Sequence, residues 1–236
     1  MHSNRYIFIY SVVMVVVVAI TLSIVVLILK PFQEANIRTE KIQNILTSIN
    51  IQSNKKESQD MYKKYIKEEL LIKNDGTYRQ GSAFDVKLKD ELKKDISKRE
   101  MPLFIAETDD GKRHYIVPLW GRGLWGAIWG YISFNDDLNT VFGALFDHKS
   151  ETPGLGAEIS TRAFQEQFIN KKIFDDNGNF VSVHVIKGGA PKGDIHGVDA
   201  ISGGTITSNG VNMMLKENVG FYVNYFKTLK NTNNHE

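Results

Sequence analysis

The stretch Pro102-Leu103-Phe104-Ile105-Ala106-Glu107-Thr108-Asp109-Asp110-Gly111-Lys112-Arg113-His114-Tyr115-Ile116-Val117 sets two apolar, strand-like runs on either side of Asp-Gly. Asp-Gly accepts the positive φ of a tight turn, so this pattern predicts a β-hairpin. Asn74-Asp75-Gly76 after Leu70-Leu71-Ile72 repeats the signal. Strands are also expected over Ala127–Phe134, Thr140–Phe146 and Phe180–Ile186, with a loop at Glu151–Gly156 and a helix near Ala157–Phe168. Hairpins interrupted by a few helices predict an α+β domain on an antiparallel sheet with flanking helices, not a doubly wound parallel sheet.

Toward the N-terminus, Tyr6 to Leu29 is a largely apolar, uncharged run of about 24 residues, long enough to cross a hydrocarbon layer of about 30 Å as a helix. It exceeds the apolar core of a secretory signal and lacks a small-residue cleavage site, so it reads as one transmembrane anchor. Arg5 precedes the span and Lys30, Arg38 and Lys41 follow it, a charge count that by itself favours an inward-facing C-terminal domain. Beyond Pro31, Ile42, Ile45, Leu46 and Ile49, then Met61, Tyr62, Tyr65 and Ile66, recur at helical spacing with a break at Ser53–Lys56. The expected organisation is an N-terminus and anchor over 1–30, a helical stalk and domain entry over 31–68, and a soluble domain over 69–236.

The chain of 236 residues carries a net charge of +2, with acids and bases interspersed, which argues against a nucleic-acid partner. It has no cysteine, excluding disulfides, thiol catalysis and cysteine-held iron–sulfur clusters, so any redox chemistry must use a bound cofactor. Gly121-Arg122-Gly123-Leu124-Trp125-Gly126 has the spacing of a dinucleotide fingerprint but opens no helix, so it reads as a tight glycine turn.

Asp199-Ala200-Ile201-Ser202-Gly203-Gly204-Thr205-Ile206-Thr207-Ser208 places hydroxyls around two glycines ahead of a helical run. Gly203 and Gly204 allow an anion to approach main-chain N–H groups, with Ser202, Thr205 and Thr207 beside it. An ordinary turn with Thr207 or Ser208 as N-cap fits the same residues. The closing segment, Val211 to Leu229, has the spacing of an amphipathic helix that Gly220 divides.

Lys187-Gly188-Gly189-Ala190-Pro191, His196-Gly197-Val198-Asp199, Ser202-Gly203-Gly204-Thr205 and Thr207-Ser208-Asn209-Gly210-Val211 together resemble the NqrC family, the C subunits of the Na+-translocating NADH:quinone reductases. His148-Lys149-Ser150-Glu151-Thr152-Pro153-Gly154-Leu155-Gly156-Ala157-Glu158-Ile159 and Gly123-Leu124-Trp125-Gly126 match further blocks of that family. One departure is Gly204, where the family's attachment motif has alanine. The resemblance implies FMN joined by a phosphodiester to Thr205, installed by a separate flavin transferase that recognises Asp199. A turn or capping carboxylate is the other reading of Asp199.

With the phosphate tethered, the ring is expected on the loop formed by Glu151, Thr152, Leu155 and Gly156, while Lys187 offsets negative charge. The resemblance further implies an electron-carrying subunit of a six-subunit inner-membrane complex that oxidises NADH, reduces quinone and exports Na+, with its soluble domain on the periplasmic side. The flavin subunit of the related Rnf-type ferredoxin-oxidising complexes and an anchored, non-redox binding module are the alternatives. No residue is expected to act as a catalyst or to hold a metal.

Overall fold

The computed structural model describes residues 3–233; residues 1–2 and 234–236, the ends of the first and last expected segments, lie outside the described residues. The chain divides into two compact units, one up to Lys41 and one from Ile42 onward.

In the first unit, helix α1 (Asn4–Ser48) is exposed throughout its apolar run. It is the one helix among the described residues long and apolar enough to cross a membrane. Hydroxyls within the run are satisfied locally: Ser11, Thr21 and Ser23 donate to the carbonyls of Ile7, Val17 and Ala19 at 2.9, 2.8 and 2.8 Å. An unsatisfied hydroxyl would be costly in hydrocarbon, and the bond to the carbonyl four residues back removes that cost.

The second unit contains the end of α1 followed by α2 (Ser58–Tyr65), β1 (Ile66–Ile72), β2 (Tyr78–Gln80), α3 (Leu88–Glu91), β3 (Met101–Glu107), β4 (Arg113–Arg122), β5 (Ala127–Phe134) and β6 (Val141–His148). After these come α4 (Arg162–Gln165), β7 (His184–Ile186), β8 (Gly197–Asp199), α5 (Thr205–Phe221) and α6 (Val223–Asn233). The six-stranded sheet runs β2-β1-β3-β4-β5-β6 with every pairing antiparallel. A separate parallel pair joins β7 and β8.

Both Asp-Gly turns form. Gly111 at φ +75° closes β3 onto β4, pairing Glu107 with Arg113, and Gly76 at φ +86° closes β1 onto β2. Alternation then sorts side chains between the two faces. Leu103 and Ile105 of β3 with Tyr115 and Val117 of β4 face α5 and α6, where Val211, Leu215, Val219 and Phe226 complete the larger core. Phe104, Ala106 and Ile116 point the other way, onto Ile42, Ile45, Leu46 and Ile49.

The compact domain therefore starts inside the segment read as a stalk, because that apolar stripe has a sheet face to cover. Ile66, assigned to the same stripe, opens β1 instead. Two other elements are shorter than their sequence suggests. Phe180–Ile186 is strand only from His184, since Ser182 sits at φ +67° and the N–H groups of Val181 and Ser182 both turn to the Ile173 carbonyl. Ala157–Phe168 is three short helical pieces, broken where Thr161 is extended so that Ile159, Phe164 and Phe168 all reach the core.

At the other end α5 begins six residues before Val211 and yields to α6 at Tyr222, two residues past Gly220. Burial pushes the Tyr222 phenol well above its ordinary pKa, and its hydroxyl donates to the Pro102 carbonyl at 2.7 Å.

Candidate functional site

Strand β8 delivers the chain to the glycine loop. The Ala200 N–H bonds the Ile186 carbonyl at 3.0 Å, and the Gly204 N–H closes a turn onto Ile201 at 3.0 Å. Gly203 takes φ +74°, a conformation that favours glycine, and a Cβ built on it would lie 2.5 Å from Leu155 Cδ2, so the exposed Leu155 side chain lies over it. Gly204 is the N-cap of α5 and supplies no capping side chain. The N-cap choice of Thr207 or Ser208 is thereby corrected: the helix starts earlier, Ser208 Oγ accepts from the Ile201 N–H at 3.1 Å, and Thr207 points inward. Helix geometry leaves the N–H groups of Thr205, Ile206 and Thr207 without intrahelical acceptors. The positive end of a 17-residue helix thus opens beside exposed Ser202 and Gly203 and half-buried Thr205.

Behind this loop is a closed polar corner. Glu151 is 5 % exposed; its Oε2 accepts from Thr207 Oγ1 at 2.5 Å and its Oε1 from the Trp125 N–H at 2.9 Å. The Gly121–Gly126 run is the turn expected, with the Gly123 N–H on the Gly126 carbonyl at 2.8 Å. Its amides converge on the carboxylate as a nest would on an anion. Burial works to raise the Glu151 pKa, but the Thr207 hydroxyl and the Trp125, Gly126 and Leu124 amides outweigh it and hold the group below its ordinary value.

Two more glycines make room for this contact. A Cβ on Gly156 would strike both Thr207 Oγ1 and Glu151 Oε2, and one on Gly123 would lie 2.6 Å from Glu151 Oε1. A Cβ on Gly204 would approach the Gly156 N–H nitrogen to 3.4 Å, so the 150s loop and the glycine loop lie back to back.

The structure thus brings Glu151, Leu155, Gly156, Gly203, Gly204 and Thr207 together, with Ser202 and Thr205 on the open side. Thr152 has its side chain in solvent while its carbonyl accepts from the Leu155 and Ala157 N–H groups, both at 3.1 Å. Leu155 is 43 % exposed and lies over Gly203. Lys187 is exposed at the end of β7. Asp199 is exposed and caps the neighbouring turn, its Oδ1 accepting from the Ala190 N–H at 2.7 Å.

Sequence reasoning misses the closure of Glu151 onto Thr207 and the Trp125 amide. Nothing local announces a bond between residues 56 positions apart. Gly156 is the available signal, a glycine whose Cβ would strike both groups of that bond.

An exposed glycine turn leading into a helix start with no capping side chain leaves main-chain N–H groups open to an anion, on an antiparallel α+β domain. The FMN-binding domain family matches residues 123–219, which contain both loops, so the class is a flavin-binding domain behind a single apolar helix.

The C subunit of the Na(+)-translocating NADH-quinone reductase from Vibrio alginolyticus is 31 % identical over 199 residues, covering 78 % of this chain and 77 % of that protein. Its counterpart from Vibrio vulnificus is 33 % identical over 202 residues, covering 78 % of each. Among solved structures, the same reductase component from Parabacteroides distasonis superposes with a TM-score of 0.77 at 43 % identity, covering 84 % of this chain and 96 % of that one. NqrC from Shewanella oneidensis gives 0.69 at 32 % identity, covering 82 % and 98 %. The chain belongs to the NqrC family, the C subunits of Na(+)-translocating NADH-quinone reductases.

Proposed function

We propose that this protein is the membrane-anchored flavin subunit of a Na+-translocating NADH:quinone reductase and carries FMN esterified to Thr205. FMN held there supplies the redox chemistry, taking up and releasing electrons one at a time. The observation that carries this reading is the start of α5, where half-buried Thr205 follows Gly203 and Gly204 and no side chain caps the helix. The free N–H groups and helix dipole favour a phosphate at that point.

Thr205 has no base adjacent in sequence, which argues against self-attachment, and the family resemblance implies a separate flavin transferase with FAD as donor. In that step a Thr205 Oγ–phosphorus bond forms, the bond to the AMP half breaks, and the hydroxyl proton passes to the transferase. Asp199 lies at the exposed approach to the loop, where that enzyme would read it. Leu155 and Thr152 offer an apolar cover and a polar contact to the ring, Ser202 would border the phosphate with its side chain and Thr207 only with its main-chain N–H, its hydroxyl being held by Glu151, and Lys187 supplies a cation near the same rim. Glu151 and Gly156 shape the wall behind the site. The remaining members of the six-subunit complex hold NADH, quinone and the Na+ path, and the soluble domain stands on the periplasmic side of the inner membrane.

Co-expression with a flavin transferase should give a band that fluoresces as flavin on a denaturing gel. Thr205→Val should abolish it, and Thr207→Val should leave it. Loss with the second variant but not the first would move the attachment site.

A further inference from the structure

Beside the flavin loops, between α3, β4, β5 and the start of the 150s loop, runs a cleft of about 410 Å³ whose side-chain lining includes Lys89, Trp120, Arg122, Trp125 and Lys149. A second hollow of about 310 Å³ shares Trp120, Gly121 and Arg122 and extends to Met213 and Glu217 on α5. Lys89, Arg122 and Lys149 are exposed and form no ion pair among the described residues. The Lys89 ammonium lies 6.0 Å from the Trp120 ring centroid. Arg99, which also borders the second hollow, is committed to the Lys94 and Leu92 carbonyls, and among the described residues Glu217 is the only carboxylate on either rim.

Around the cations stand apolar side chains with about half or more of their surface open: Trp125 at 67 % exposure, Met213 at 60 % and Leu124 at 48 %. Indole, methionine and arginine groups on one exposed surface are the composition of an interface core, not of a solvated face. The patch is continuous with the site, because the amide of Trp125 is the one bonded to Glu151.

We propose that this cleft docks an acidic surface of the neighbouring subunit that exchanges electrons with the flavin, the three cations meeting carboxylates and Trp125 meeting an apolar centre. The inference rests on the electron-carrier reading above. Complementary charge steers encounter and sets orientation more than it adds affinity, which suits an electron-transfer contact.

The test uses the assembled complex in membranes. A zero-length carbodiimide should join Lys89 or Lys149 to Asp or Glu side chains of another subunit, read by peptide mass spectrometry. Lys89→Glu/Arg122→Glu/Lys149→Glu should retain the fluorescent flavin band yet slow NADH-driven turnover by about tenfold or more at low salt. Lys55→Glu/Lys56→Glu/Lys63→Glu, placed beside α2 on the opposite face of the sheet, should stay within about twofold of wild type. Cross-links confined to this chain, or turnover of the first variant within about twofold of wild type with the band present, overturn the docking proposal alone. A wild-type complex without the band overturns it together with the flavin reading beneath it.

Discussion

Glu151 and Thr205 stand on two sides of one loop pair and show opposite solutions to the same problem, a polar group at a helix start. At Glu151 the carboxylate is buried and its acceptors are taken by Thr207 and by the amides of the Gly123–Gly126 turn. Thr205 is half-buried and the helix N–H groups beside it lack a capping side chain. The contrast separates what holds the shape from what is left free to react. Both loops are glycine-rich, yet the glycines at 123 and 156 admit the chain's own carboxylate, while the exposed turn at Ser202 and Gly203 leads into a helix start with no capping side chain.

The sharpest way to break this contrast is to swap the fates of its two threonines. Thr205→Val should lose all covalent flavin with little change in unfolding, and Thr207→Val should keep the flavin and lose stability. Intact-mass analysis with denaturant titration reads both at once.

Next in size is Glu151→Ala. It strands a buried hydroxyl and several amides, for an expected loss of about 3 kcal/mol in denaturant unfolding. A loss below about 0.5 kcal/mol would mean that the corner is not a brace.

A smaller, pH-dependent effect sharpens the comparison further. The Glu151 pKa is held below its ordinary 4.5 in the folded state, so its ionised form stabilises the fold above that value and the contribution fades as pH falls through the folded value. The stability gap between wild type and Glu151→Gln should be constant at neutral pH and narrow below about 4.5. A gap that widens on acidification would reverse the assignment.

The smallest effect lies away from both loops. Tyr222→Phe removes one buried hydrogen bond to Pro102 and should cost about 1 kcal/mol, or about 2–4 °C in melting temperature for a domain of this size, with flavin content unchanged.

Much of the fold is legible because its signals are local. The Asp75-Gly76 and Asp110-Gly111 turns, the alternation in β3 and β4 and the long apolar run each depend on near neighbours. Where the sequence misleads, a distant partner intervenes. Ile42 to Ile49 reads as a free helix until the sheet face carrying Phe104 and Ile116 comes to lie against it. Ala157–Phe168 reads as one helix until three side chains must reach the core together. The candidate site divides the same way. Thr205 and its glycines announce themselves within ten residues, whereas Glu151 reads as a flavin contact because the groups that satisfy it are distant in sequence.

The amino-acid sequence by itself determined the membrane-length helix, the antiparallel α+β class, the absence of cysteine chemistry and the hydroxyl-flanked glycine loop, since each follows from period, turn chemistry or composition over a short span. Only the tertiary structure decided that α5 begins at Thr205, that Glu151 is satisfied from within, and that Lys89, Arg122 and Lys149 share a cleft with two indoles. Hydrogen-bond satisfaction and side-chain clustering depend on which distant groups meet, and that is a property of the packed chain.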